Sequence, residues 1–402
     1  MQSPRGALRI AYLLSQYPAV NHVFMLREVR LLRELGLDVQ VASIRNPDRD
    51  ADLMTAAEQE EARSTYYVKD CGVTRLALAH LHTLLSRPGG YFRGLGEALR
   101  AAPFGLFYFA EAVAVGYWMR RRELSHVHTH YASTVGLLVS RIFPVTLSIT
   151  FHGPAEFQDP AESRLTQKIQ ASLFCCAISQ YGVTQLVSAC GQGERRKLEL
   201  TYLGVDLDGF PARPFRPNPA PFQAICVGRL APEKGQHVLI AAMDALAKDG
   251  RNIRLRLVGD GPDRMALQQD VENRGLAQRI AFDGNVNQDK LLELYRESDI
   301  FVLSSFAEGL PVVLMEAMAM GIPCVASQVN GIPEIITPEC DGLLAPPGDT
   351  EALARAIARL ADDAELRRTL GERARVKIQE KFDLRHNTAH LADVFRRRLA
   401  AG

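Results

Sequence analysis

The chain reads as an α/β protein built from two doubly wound domains, and three observations predict this. Apolar runs of strand length alternate with helical runs along nearly all of its 402 residues, the pattern of parallel strands joined by helical crossovers. Residues 208–221 (DGFPARPFRPNPAP) hold five prolines and no periodicity, which marks a linker. A second strand–helix series then begins. The expected organisation is a first domain over 1–207, the linker over 208–221 and a second domain over 222–383. A terminal helix over 384–402 is expected to pack back on the first domain. Ligands of such sheets bind beyond the carboxyl ends of strands, so the loops there carry the most weight, on a cleft expected between the domains.

The elements follow in order. Residues 8–15 read as a strand, 22–35 as an amphipathic helix stopped by Gly36, and 39–44 as a second strand. Residues 126–128, 145–150 and 174–178 read as further strands of the first domain. Those of the second are 222–227, 253–258, 280–282, 300–303 and 323–326.

Bulk composition excludes several classes. A 47% hydrophobic, 23% charged chain with net charge +1 is an ordinary soluble composition with no global attraction to nucleic acid. Seven cysteines without paired spacing argue against a disulfide framework, and no zinc-ligand spacing occurs. Cys175 and Cys176 read as buried strand. The apolar run 10–14 is too short for a signal peptide, so a cytoplasmic protein is expected. Residues 74–122 depart from the average, with seven arginines against two glutamates and a mostly apolar stretch over 101–119 rich in Phe, Tyr and Trp. Glu111 in its middle argues against a spanning helix. Two expectations stand: a helical excursion packed on the sheet, or a surface lying on the inner face of the cytoplasmic membrane.

The richest stretch is 304–323. A strand runs into a small polar loop, a helix begins near Pro311, and Glu308 and Glu316 sit eight residues apart. A helix N-terminus flanked by carboxylates suits a ligand carrying phosphates and hydroxyls: amides meet the former and carboxylates accept from the latter. At 227–235 another strand opens into a loop with Arg229 and Lys234, a guanidinium and an ammonium suited to a diphosphate. Gly259 and Gly261 form a glycine turn after a strand, and Val286 follows the strand at 280–282. A GxGxxG fingerprint is absent after the first strand, which counts against a nicotinamide or flavin site.

These residues carry a resemblance. Gly228-Arg229…Glu233-Lys234-Gly235, Gly259-Asp260-Gly261-Pro262, the Glu308/Glu316 pair, Gly321-Ile322-Pro323 and Gly331-Ile332-Pro333-Glu334 resemble the retaining family-4 glycosyltransferases of GT-B fold, in order and spacing. In the first domain Thr150-Phe151-His152-Gly153, Tyr202-Leu203-Gly204-Val205-Asp206 and His128-Thr129-His130-Tyr131-Ala132 are similar to bacterial members that build exopolysaccharides such as colanic acid. The resemblance implies two Rossmann-like domains facing a central cleft. It implies transfer of a hexose from a nucleoside-diphosphate sugar, UDP above all, to a growing glycan or lipid-linked acceptor.

Roles carry over by resemblance. Arg229 and Lys234 would hold the diphosphate and stabilise it as it leaves. Glu308 would meet the donor sugar, with Gly309, Leu310, Pro311 and Val312 near sugar and phosphate. Glu316 would bind the ribose, Val286 the base, and Gly259 and Gly261 would line the donor site. His152 would reach the donor sugar from the first domain. Tyr17, Asn21 and His130 are expected on the acceptor side. Placed cations lower the barrier to glycosyl–phosphate cleavage, so no metal and no cofactor are expected, and no side-chain nucleophile is nominated. The loop 15–22 lacks the glycine pair that many relatives carry beside the diphosphate.

Two acidic pairs of Asp-x-Asp form, at 48–50 and 206–208, are set aside as metal sites. His126, His128 and His130 share one strand face and read as a strand end with one histidine in the cleft. The rival readings are a GT-B epimerase or phosphorylase, and a nucleotide-binding scaffold without turnover. Nothing marks a lysine for pyridoxal phosphate, and intact Arg229, Lys234, Glu308 and Glu316 argue against a decayed site.

Overall fold

The computed structural model describes residues 8–19, 22–100, 104–159 and 163–400. Its contacts define two compact units: the chain up to Tyr202 together with the segment from Asn387, and Leu203–His386. Residues 208–221, read from sequence as a linker, run along the second unit, where Phe210 is buried and the Arg213 amide donates to the Met320 carbonyl.

The first unit holds an all-parallel sheet of β1 (Arg9–Gln16), β2 (Asp38–Arg45), β3 (Tyr66–Tyr67), β4 (His126–His130), β5 (Thr146–Phe151), β6 (Phe174–Ala177) and β7 (Leu198–Leu200). Their order is β3-β2-β1-β4-β5-β6-β7. The second sheet has β8 (Phe222–Val227), β9 (Ile253–Val258), β10 (Ile280–Gly284), β11 (Ile300–Leu303), β12 (Cys324–Ser327) and β13 (Leu343–Ala345), ordered β10-β9-β8-β11-β12-β13. Both orders run outward from the first strand and then reverse, which is the doubly wound arrangement. The reversals fall between β1 and β4, and between β8 and β11. The loops leaving those four strands flank the crevices where ligands of this architecture bind.

Central strands such as β6, β11 and β12 are buried on both faces and are nearly continuous apolar runs, whereas β4 carries three histidines. In the first unit one face packs the helix Val23–Glu34 through Met25, Leu26, Val29 and Leu32, and the terminal helix through Leu391, Val394 and Phe395. The other face packs the helix Gly105–Arg121 and its neighbours. Cys175 and Cys176 lie in β6, fully buried.

The basic segment forms three helices, Gly72–Ser86, Pro88–Leu99 and Gly105–Arg121. Their inner faces join the core through Ala79, Ala98, Phe109 and Trp118, with Trp118 stacked on Tyr66 at 5.3 Å. Their outer faces are apolar as well: Leu78, Leu81, Leu85, Phe92, Leu99, Phe104 and Phe107 are all more than half exposed. No helix among the described residues is long and apolar enough to cross a membrane.

Candidate active site

At the carboxyl end of β8 the chain turns through Gly228 and Arg229 into a short 3-10 turn, Pro232–Lys234. Gly235 then adopts φ +62, and a Cβ there would sit 2.2 Å from the Ser304 carbonyl oxygen, so only glycine allows this approach. The neighbouring loop after β11 is stapled to the turn. The Ser304 hydroxyl donates to the Gly235 carbonyl at 2.9 Å, and the Phe306 amide donates to the Glu233 carbonyl at 2.8 Å.

This stapling brings Lys234 and Glu308 together. Lys234 Nζ lies 2.7 Å from Glu308 Oε1, and the Ser305 hydroxyl donates to the same oxygen at 2.6 Å. The Glu308 side chain is only 7% exposed against 24% for Lys234, so the carboxylate is locked below and the ammonium faces outward. A nearly buried carboxylate needs such a partner. Arg229 on the same turn is exposed, and its guanidinium makes no hydrogen bond or ion pair among the described residues. Its carbonyl accepts from the Gln236 side chain at 2.8 Å, which fixes the turn.

Pro311 caps the helix Val312–Ala319. Gly309 and Val312 are half-buried, while Leu310 and Pro311 are buried. Glu316, in the second turn, is 8% exposed and accepts from the Tyr295 hydroxyl at 3.4 Å. Val286 follows β10 and is half-buried. A Cβ on Gly259 would lie 2.2 Å from the Gly228 carbonyl oxygen, and one on Gly261 2.2 Å from that of Leu230. These two glycines therefore hold the loops after β8 and β9 in contact, a packing role for residues read from sequence as lining the donor site. A depression lined by Arg216, Gln223 and Arg256 lies at the amino end of β8, opposite to these loops.

In the first unit His152 follows β5 and is buried. Its backbone amide donates to Glu156 at 2.6 Å, and burial pushes the Glu156 carboxyl up to about 7. Its Nε2 lies 2.7 Å from His130 Nδ1, whereas its Nδ1 has no partner among the described residues. Its ring stacks on Tyr131 at 4.5 Å, and Tyr131 stacks on His22 at 4.9 Å. Tyr131 holds φ +59, a costly backbone for a bulky residue, and directly follows β4 at the reversal point. Sequence reading quoted Tyr131 without a role; its backbone conformation has no sequence signature. Tyr12 and Glu156 were missed entirely.

Two residues expected on the acceptor side are interior. Tyr17 is fully buried and its hydroxyl donates to Glu61 at 2.9 Å, so it belongs to the core. His130 is fully buried and bonded at both ring nitrogens; it acts on His152 and has no exposed surface. Asn21 lies outside the described residues.

Paired cationic and carboxylate loops at the reversal point of a doubly wound sheet define a site for an anionic, hydroxyl-bearing ligand. Residues 212–377 match the family of glycosyl transferases, group 1. The chain carries a group 1 glycosyl transferase domain on a GT-B fold, and it is a transferase. Over nearly its whole length it is similar to a glycosyltransferase assigned to colanic acid biosynthesis, WcaL of Escherichia coli K12, with 24% identity covering 94% of this chain and 96% of the relative. It is equally similar to the amylovoran biosynthesis glycosyltransferase AmsK of Erwinia amylovora, with 25% identity over 97% and 100%. Among solved structures, HepE of Anabaena in complex with UDP and glucose superposes with a TM-score of 0.75 at 20% identity, covering 97% of this chain and 99% of that one.

Proposed function

We propose that this chain is a retaining, metal-independent hexosyltransferase of exopolysaccharide assembly, taking its sugar from a UDP-sugar and passing it to a growing glycan or lipid-linked acceptor. The observation that carries this reading is the Lys234–Glu308 pair, 2.7 Å apart beside the exposed Arg229. An arriving diphosphate finds two cations on one turn, and Glu308 is then released toward the sugar hydroxyls. Charge developing on the leaving diphosphate meets fixed countercharges, which lowers the barrier without a metal. Glu316 is assigned to the ribose, Val286 to the base, and His152 of the first unit to a sugar hydroxyl. The polysaccharide setting is supported by the two full-length relatives, and the UDP donor by the HepE complex.

The reading includes a place on the inner face of the cytoplasmic membrane. Exposed leucines and phenylalanines on three successive helices, with Arg75, Arg93, Arg100, Arg120 and Arg121 exposed among them, suit an anionic lipid surface.

The test is nucleotide release. The protein is incubated with UDP-, GDP- and ADP-hexoses, with and without a lipid extract of the cell envelope. Release of UDP from one UDP-hexose, unchanged by EDTA and giving a product with the donor's anomeric configuration by NMR, supports the reading. UDP binding without release under any condition would replace it with a scaffold. Sedimentation with anionic vesicles at low salt, lost at high salt, tests the membrane part; no sedimentation at low salt removes it.

A further inference from the structure

The side chains facing one another across β4 and β5 form a continuous chain, exposed at Thr146 and buried from His126 inward. The register pairs His126 with Thr146, His128 with Ser148 and His130 with Thr150. Thr146 Oγ1 donates to the Ser125 carbonyl at 3.4 Å and lies 2.7 Å from His126 Nδ1. Ser148 Oγ lies 2.7 Å from both His126 Nε2 and His128 Nδ1. His128 Nε2 lies 2.9 Å from His130 Nε2, and His130 Nδ1 lies 2.7 Å from His152 Nε2.

Proton counting fixes the direction. A carbonyl only accepts, so the single Thr146 proton goes to Ser125 and Thr146 accepts from His126 Nδ1. Burial pushes all four histidines below their ordinary range, His126 to about 3, so each ring is neutral and carries one N–H. His126 Nε2 is then bare and accepts from Ser148, which in turn accepts from His128 Nδ1. The bare His128 Nε2 accepts from His130 Nε2. The bare His130 Nδ1 accepts from His152 Nε2. A second anchor agrees: Glu28 Oε1, held by the Tyr12 hydroxyl at 3.0 Å, lies 3.4 Å from His130 Nε2, and a carboxylate there also calls for a proton on that nitrogen. The Thr150 hydroxyl, 3.0 Å from His128 Nε2, adds a donor on the same side.

We infer that this wire of hydroxyls and imidazoles presets His152 as the Nε2–H tautomer, leaving its Nδ1 as a bare acceptor for a ligand hydroxyl, with His130, His128, Ser148 and Glu28 as positioning residues. The buried Nδ1 without a partner is where the wire ends. A residue that accepts from a sugar hydroxyl must keep its lone pair free before the ligand arrives, and the wire does this without any charge. The choice of a hydroxyl as ligand rests on the transferase reading; the tautomer does not.

The test is nitrogen NMR of the histidine-labelled protein at pH 8. It should show Nε2–H for His152 and His130, and Nδ1–H for His128 and His126. A proton on His152 Nδ1 overturns the inference. In His130→Phe, which cannot accept, His152 should populate both tautomers, and His130→Gln, whose amide oxygen can accept, should restore Nε2–H; an unchanged His152 in His130→Phe also overturns it. Where His130→Phe does not fold, Ser148→Ala gives the second reading: Glu28 and Thr150 should still hold His128 as Nδ1–H and His152 as Nε2–H, and a proton on His152 Nδ1 contradicts the wire. With a series of monodeoxy donors, one missing hydroxyl should cost the wild type at least about 10-fold in kcat/KM and His130→Phe much less. The expected tautomers without any turnover of nucleotide sugars would strike the transferase reading and leave the wire standing.

Discussion

The two sheets reverse in the same way, between β1 and β4 in one and β8 and β11 in the other, yet the loops leaving those strands carry opposite chemistry. In the second unit the ends of β8 and β11 present Arg229, Lys234 and Glu308, with Lys234 already paired to Glu308. In the first unit the ends of β4 and β5 present neutral imidazoles and hydroxyls, buried and bonded in series. One fold thus supports two kinds of polar edge. Charges suit a partner that brings charge, such as a diphosphate. A wire of neutral donors suits one that brings hydroxyls.

Breaking the charged edge should have the largest effect. Lys234→Ala should cut transfer at least about 100-fold, near 3 kcal/mol of barrier, with an unchanged circular dichroism spectrum. A rate within about threefold of wild type would remove Lys234 from the chemistry. Gly259→Ala tests the scaffold beneath it. With φ +128 and a carbonyl 2.2 Å from the new Cβ, the second unit should lose about 2 kcal/mol in urea unfolding; no loss would show that the loops after β8 and β9 adapt.

The neutral edge is read through pH. The histidines of the wire take up protons near pH 6.5 when unfolded but not when folded, so the first unit should lose stability as pH falls from 6.5 to 4.5. Glu28 opposes this. Its folded pKa is raised to about 7 by burial, so its contribution is fully present below its unfolded value and is lost as pH rises through 7. Glu28→Gln should therefore steepen the acid loss by about 1.4 kcal/mol per pH unit, one proton's worth. Trp118, the single tryptophan and part of the first unit's core, reports the unfolding by fluorescence. An unchanged slope would show that Glu28 does not titrate in this range. The smallest effect is expected at Glu316→Gln, which should weaken nucleotide binding about fivefold, close to 1 kcal/mol, by calorimetry.

The charged edge was legible because its residues are close in sequence. Arg229 and Lys234 lie on one turn, Glu308 and Glu316 flank one helix start, and strand ends reveal both. The long strands were legible for the same local reason. Strands β3, β7 and β13, of two or three residues, are too short for any periodicity to register, and their pairing is decided by the sheet. The histidine alternation placed three rings on one face, but their partners Ser148 and Thr150 are set by the register with β5, and Glu28 reaches His130 from a helix about a hundred residues away. Tyr17 was placed on the acceptor side by resemblance alone; its burial against Glu61 is a tertiary fact. Gly259 and Gly261 were legible as glycines, although their reason is the carbonyls they approach.

The central claim is that the second unit binds a nucleoside diphosphate through Lys234 and Arg229 without a metal. The most direct measurement is the unfolding midpoint of the protein against UDP, GDP, ADP and CMP and their sugar conjugates, with and without EDTA, since a ligand of the native state raises it. A rise with UDP and its sugars that EDTA leaves intact and Lys234→Ala abolishes is the predicted result. A rise that EDTA removes, or none with any nucleotide, would contradict the account.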